Sequence, residues 1–106
     1  LMDSNRLMEV VQRVNSPWFA VNLDSGNFAD KDVYQAFEKV APYAATVQLK
    51  VSVRNPSGIK VPADLSRFIK ILKKTSYRGY VVLEYEAAED PFRAMPKYLK
   101  QLRELL

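Results

Sequence analysis

The sequence predicts an α/β fold of parallel strands, part of a (β/α)8 barrel. Three observations predict it. Helix and strand signals alternate along the 106 residues, and strands separated by helices pair in parallel through right-handed crossovers. Each strand turns one apolar face one way and its polar residues the other. Asp24 and Glu84 fall late in their strands, at the end where barrels of this kind keep their active sites. An open doubly wound sheet is covered by helices on both faces, so its central strands read apolar throughout. These do not.

The elements follow the order α-β-α-β-α-β-α. Leu7, Val11 and Val14 recur at helical spacing over residues 3–14, with Asp3 or Ser4 as the N-cap. Asn15, Ser16 and Pro17 stop that helix. Residues 18–24 read as a strand, followed by a turn at Ser25-Gly26-Asn27. Val33, Phe37 and Val40 predict a helix over 32–41, opened near Asp30 or Asp32. Residues 45–53 alternate strictly and predict the second strand. The stretch Arg54-Asn55-Pro56-Ser57-Gly58 is turn-rich, and Arg54 and Lys60 are expected to flank a mobile loop over the barrel mouth. Leu65, Phe68, Ile69 and Leu72 give the clearest amphipathic helix, over 63–76, with a C-cap region near Gly79. Residues 80–85 predict the third strand. The last helix starts after Asp90-Pro91, a cap followed by the residue that tolerates the first helical position. Pro96 is expected to bend that helix or delay its start.

The strand phases locate the chemistry. Phe19, Val21 and Leu23 share one face of the first strand, and Asn22 and Asp24 the other. In the second strand Val47, Leu49, Val51 and Val53 oppose Thr46, Gln48, Lys50 and Ser52. In the third, Val81 and Leu83 oppose Val82, Glu84 and Glu86. Carboxylates and an amide converging on one mouth can hold a divalent cation through oxygen. A single polar residue at a strand end is ordinary; three strands agreeing in phase and position make a site.

Composition narrows the chemistry further. The chain has no cysteine and no histidine, which excludes disulfides, thiol nucleophiles and Ser–His catalysis within it. Cysteine-free composition and the polar start at Asp3, Asn5 and Arg6, which shows no signal-peptide pattern, fit an expected cytoplasmic location. No apolar run approaches the ~20 residues of a membrane helix, so no membrane partner is expected. The net charge of +4 is accounted for by solvated helix faces such as Lys70, Lys73 and Lys74, and no nucleic-acid partner is expected. Leu1 stands where an initiator methionine would, which reads as a cut from a longer protein.

Three segments carry a family resemblance. Leu23-Asp24-Ser25-Gly26-Asn27 resembles a Leu-Asp-Thr-Gly-His segment of the sugar phosphate isomerase/epimerase family, the xylose-isomerase-like TIM barrels. Val47-Gln48-Leu49-Lys50 is similar to that family's Val-His-Leu-Lys-Asp. Gly79-Tyr80-Val81-Val82-Leu83-Glu84 looks like its Gly-Tyr-x-Gly-x-x-x-x-Glu ending. The resemblance covers residues 1–106 as the C-terminal portion of a (β/α)8 TIM barrel: three βα units and the helix before them. It implies Asp24, Gln48 and Glu84 as metal ligands and Asn27, Lys50 and Arg54 as substrate contacts. Glu84 and Lys50 would be the catalytic pair. Gln48 stands where the family usually has a liganding histidine, Asn27 where a substrate-contacting histidine is common, and Val51 replaces the usual aspartate.

The implied activity is metal-dependent isomerisation or epimerisation of a sugar or sugar phosphate. Its cofactor would be a divalent ion (Mn, Mg, Co or Zn), and its ligand a small carbohydrate. A further glutamate ligand and the remaining strands are expected from a missing N-terminal barrel portion or from self-association, because three strands leave open edges. Two rivals stand beside this reading. One is a non-catalytic binding module that keeps the barrel scaffold. The other is an abasic-site endonuclease-like protein, which the lack of histidines argues against.

Overall fold

Aspartate opens each of the four α-helices among the described residues. The computed structural model describes residues 2–106. Asp3 accepts from the N–H groups of Asn5 and Arg6 and caps α1 (Ser4–Val14). Asp32 accepts from Tyr34 and Gln35 and caps α2 (Val33–Val40). Asp64 caps α3 (Leu65–Lys74) through the Arg67 N–H. Asp90 caps α4 (Pro91–Leu105) through the Phe92 N–H. Each carboxylate satisfies first-turn N–H groups that have no partner inside the helix. Asp30, the other candidate for α2, instead receives Ser4 Oγ at 2.6 Å and Ser4 N at 2.8 Å, and so ties the start of α1 to the loop after the first strand.

Three parallel strands lie in the order β1 (Val21–Asp24), β2 (Ala44–Lys50) and β5 (Val81–Glu84). This is the expected α/β, parallel-stranded part of a barrel. Its outer face is dry. Leu23, Val47 and Leu49 are at most 1% exposed, and the buried cluster they join takes Phe37 and Val40 from α2 and Phe68 and Ile69 from α3. Phe68 is the centre of this packing, its ring 4.6 Å from those of both Tyr34 and Phe37. Tilted aromatic pairs at that separation add to the area they bury. The shortest extent of the molecule, 21 Å, fits one layer of sheet and one of helices.

Four details differ from the sequence reading. The first strand is shorter than 18–24: the chain turns at Ser16, whose carbonyl accepts the Phe19 N–H at 3.1 Å, and parallel pairing begins at Val21. The second strand breaks at Val51. Beyond it β3 (Ser52–Arg54) leaves the sheet and pairs antiparallel with β4 (Lys60–Pro62). The expected mobile loop is therefore a hairpin, with Arg54 opposite Lys60. Its tip is closed by Asn55, whose side-chain oxygen accepts the Ser57 and Ile59 N–H groups at 3.0 and 2.9 Å, and by Gly58 in the left-handed region at φ 79°. Val51 and Val53 stay buried across the break, so alternation gives no sign of it.

The third difference is the end of α3. Ser76, at φ 56°, takes the left-handed position in place of Gly79. Its N–H and that of Tyr77 reach back to the carbonyls of Lys73 and Leu72, the paired pattern that closes many helices. Gly79 instead permits a close approach between chain segments, since a Cβ there would lie 2.9 Å from the Ala45 carbonyl. The fourth is Pro96, which sits inside α4 without delaying it. The carbonyl it deprives of a partner belongs to Phe92, which lies on the exposed side of the first turns, where water can replace the bond.

Candidate functional site

The register sets which polar side chains meet. Asp24 pairs with Gln48, and Gln48 with Val82; one step further, Lys50 pairs with Glu84. Their side chains point to the inner face, away from the helices. Glu84 thus sits one side-chain layer above Asp24 and Gln48, the stagger that strand tilt gives a barrel. Lys50 bridges the layers. Its Nζ lies 2.7 Å from Glu86 Oε2, 3.2 Å from Glu84 Oε1 and 3.9 Å from Asp24 Oδ2.

The turn after β1 is shaped around this lysine. Ser25 is fully buried. Its N–H continues the ladder to the Gln48 carbonyl at 3.0 Å, and its Oγ accepts the Lys50 N–H at 2.9 Å. Gly26 then leaves room for the lysine stem, because a Cβ there would stand 2.5 Å from Lys50 Cδ. Both oxygens of Asp24 are engaged: Oδ1 accepts the Gly26 N–H at 2.8 Å, and Oδ2 accepts Asn27 Nδ2 at 2.7 Å. Asp24 and Lys50 are themselves buried, so the cluster is a partly desolvated ion group on the mouth of the sheet.

Burial pushes the Asp24 carboxyl above the ordinary aspartate value; the Gly26 N–H and Lys50 offset part of that, and the neighbouring Glu84 carboxylate adds to the rise. Burial works against the Lys50 charge, but hydrogen bonds to Glu86 and Glu84 and the charge of Asp24 outweigh it, so the ammonium is held above the ordinary lysine value. Glu86 is lowered by its hydrogen bond to Lys50. The lysine is the fixed positive centre, and the carboxylates arrange around it.

Two clefts flank Asn27. One, of about 330 Å³, is lined by Phe19, Asn22, Asp24, Asn27 and Gln48. The other, of about 230 Å³, is lined by Asn27, Lys50, Ser52, Arg54, Lys60 and Glu86. Of the residues that the resemblance singles out, Asp24, Lys50 and Glu84 come together, and Asn27 joins them through Asp24. Gln48 lies beside Asp24 but opposite Val82. Arg54 stands on the hairpin at the rim of the second cleft, its guanidinium donating to the Gly58 carbonyl at 2.9 Å.

Sequence reasoning passed over Glu86, Lys60 and Ser52 as site residues. Glu86 shares the phase of Glu84 two residues on, which was the available signal. Lys60 donates to the Glu86 carbonyl at 2.8 Å and reaches the site only because the hairpin folds back. Ser52 Oγ is buried without a hydrogen-bond partner, an uncommon state for a hydroxyl.

A divalent ion fits this donor set poorly. Among the described residues no three His, Cys, Asp or Glu side chains are grouped to hold a metal ion. Both Asp24 oxygens already accept N–H donors, and an ammonium stands among the carboxylates. Hard cations of this kind take six or more oxygens.

A three-stranded parallel sheet with helices on one face and a polar cluster at its C-terminal mouth defines part of a (β/α) barrel. The chain belongs to the xylose isomerase-like TIM barrel family, whose model matches residues 2–103. Comparison with curated proteins finds no match. Among the described residues no helix is long and apolar enough to cross a membrane.

Proposed function

We propose that this chain forms part of the working mouth of a barrel that isomerises or epimerises a sugar or sugar phosphate. One observation carries the reading: a buried lysine in contact with three carboxylates at the C-terminal ends of adjacent parallel strands. Such reactions remove a proton beside a carbonyl and return it at the neighbouring carbon or on the opposite face. They need a base, an acid and a positive group near the oxygen that gains charge. Glu84 is the base, being less buried than Asp24 and open to a ligand. Lys50, held among the carboxylates, stabilises through its fixed charge the substrate oxygen that gains charge. Asn27 contacts sugar hydroxyls, and Arg54 with Lys60 meets an anionic group such as a phosphate. No step is routed through a metal, because the donor set of this chain does not suit one. The remaining barrel strands, from a longer chain or a second copy, cover the inner face.

A second reading, a carbohydrate-binding module without catalysis, is favoured by the full engagement of both Asp24 oxygens. Both are tested by titrating isotope-labelled protein with aldose–ketose pairs and their phosphates and following backbone amides. Shifts at Asn27, Lys50 and Ser52 are expected, with Lys50→Met weakening them. Interconversion of the bound sugar, reduced at least about a hundredfold by Glu84→Gln, selects catalysis. Binding without interconversion selects the module. Shifts confined to other surfaces sink both.

A further inference from the structure

The cation of this cluster is part of the chain. Lys50 Nζ hydrogen-bonds to Glu86 at 2.7 Å and to Glu84 at 3.2 Å and pairs with Asp24 at 3.9 Å. An ammonium has three N–H donors and no acceptor, and here they face carboxylates carried by the segments on either side of β2. The lysine is held in that place by the backbone as well as by charge. Its own N–H is fixed by Ser25 Oγ, and its stem crosses the turn at the one residue without a Cβ, Gly26. The lysine side chain is only 10% exposed, so it does not swing freely into solvent.

We infer that the Lys50 ammonium occupies the cation position of this carboxylate cluster, so that the chain binds no divalent metal there and removing the lysine turns the cluster into a divalent-metal site. The argument is one of charge and space. Three carboxylates with no counter-ion on a partly desolvated strand end would repel one another. One cation relieves that, and the fold supplies it from β2. A divalent ion would have to displace a buried ammonium from two hydrogen bonds and draw Asp24 away from the Gly26 and Asn27 donors. As they stand, no three carboxylates among the described residues are grouped to hold a metal; with Lys50 absent they lose that counter-ion, and a hard cation in its place would draw them together, with water completing the shell. This inference does not depend on which substrate the mouth takes, or on whether it turns one over.

The test is manganese binding to the full 106-residue chain, read by calorimetry and by loss of the free Mn(II) resonance signal. The parent chain is expected to show no saturable binding in the millimolar range. Lys50→Met is expected to bind Mn(II) at least about tenfold more tightly, and Lys50→Met with Glu84→Gln to lose that gain. Saturable binding by the parent chain as tight as that of Lys50→Met overturns the inference. So does a folded Lys50→Met, by circular dichroism, that gains nothing. A second measurement needs no variant. Limited acetylation read by mass spectrometry is expected to modify Lys50 at least about tenfold more slowly than Lys70 and Lys73, with or without Mn(II). Labelling of Lys50 at the rate of those exposed lysines, or a rise in its labelling when Mn(II) is added, overturns the inference even if Lys50→Met does not fold.

Discussion

The two faces of the three-stranded sheet are built by opposite rules. The outer face is continuous and dry: Leu23, Val47, Leu49 and Leu83 meet side chains of the helices, and most of the buried residues belong to this layer. The inner face is discontinuous. At its lower end Tyr80 is 85% exposed, and Asn22 and Thr46 bond to each other at 2.8 Å in the open. Only at its upper end, around Lys50, is it organised. Stability therefore resides in one face and the charged cluster in one end of the other. A stretch of sheet can hold its strands in register from the helix side alone while its other face stays open.

That division makes quantitative predictions. The largest effect belongs to the outer face. Phe68→Ala removes a fully buried ring that packs on both Tyr34 and Phe37, and should lower unfolding free energy by about 3–5 kcal/mol. Denaturant unfolding monitored by circular dichroism checks it, and a loss under about 1 kcal/mol would mean that the outer layer is not the core. A smaller effect is expected at the helix ends. Asp64→Ala deletes the carboxylate that accepts the Arg67 N–H at 3.0 Å and should cost about 1 kcal/mol, with Asp64→Asn recovering most of it. The smallest belongs to the turn that leads into β1. Trp18→Ser should change stability by no more than about 0.5 kcal/mol while raising solubility, since its ring has almost no neighbours. A large destabilisation there would show that this ring is already covered in solution, by another copy of the chain.

The same division explains what was legible in the sequence. Alternation is a statement about burial, and the outer face is buried, so Val21, Leu23, Val47, Leu49 and Leu83 could be placed in phase from their spacing. Asp24, Lys50 and Glu84 followed from the same phase. What phase cannot give is register between strands. The strand phases group Gln48 with Asp24 and Glu84 on one face; the pairing puts Gln48 level with Asp24 and Lys50 beside Glu84, and that one-layer offset decides which side chain sits among the carboxylates. Local hydrogen bonding is also silent in a periodicity. Nothing in the spacing says that Ser76 rather than Gly79 turns left-handed after α3, or that Asp30 serves Ser4 rather than α2. The break at Val51 is hidden for a related reason: a hairpin strand and a sheet strand alternate alike, and only the pairing partner distinguishes them.

The hairpin β3–β4 separates two kinds of constraint within the site. Its base is anchored: the Ala63 N–H bonds to the Val51 carbonyl at 2.9 Å, and Lys60 ties to Glu86. Its tip, Asn55 to Gly58, is closed by its own side-chain and backbone bonds and meets the rest of the molecule only sparingly. Residues can therefore be added or lost at the tip without shifting Lys50 against Glu84, so the reach of the rim can change while the charged cluster beneath it keeps its geometry.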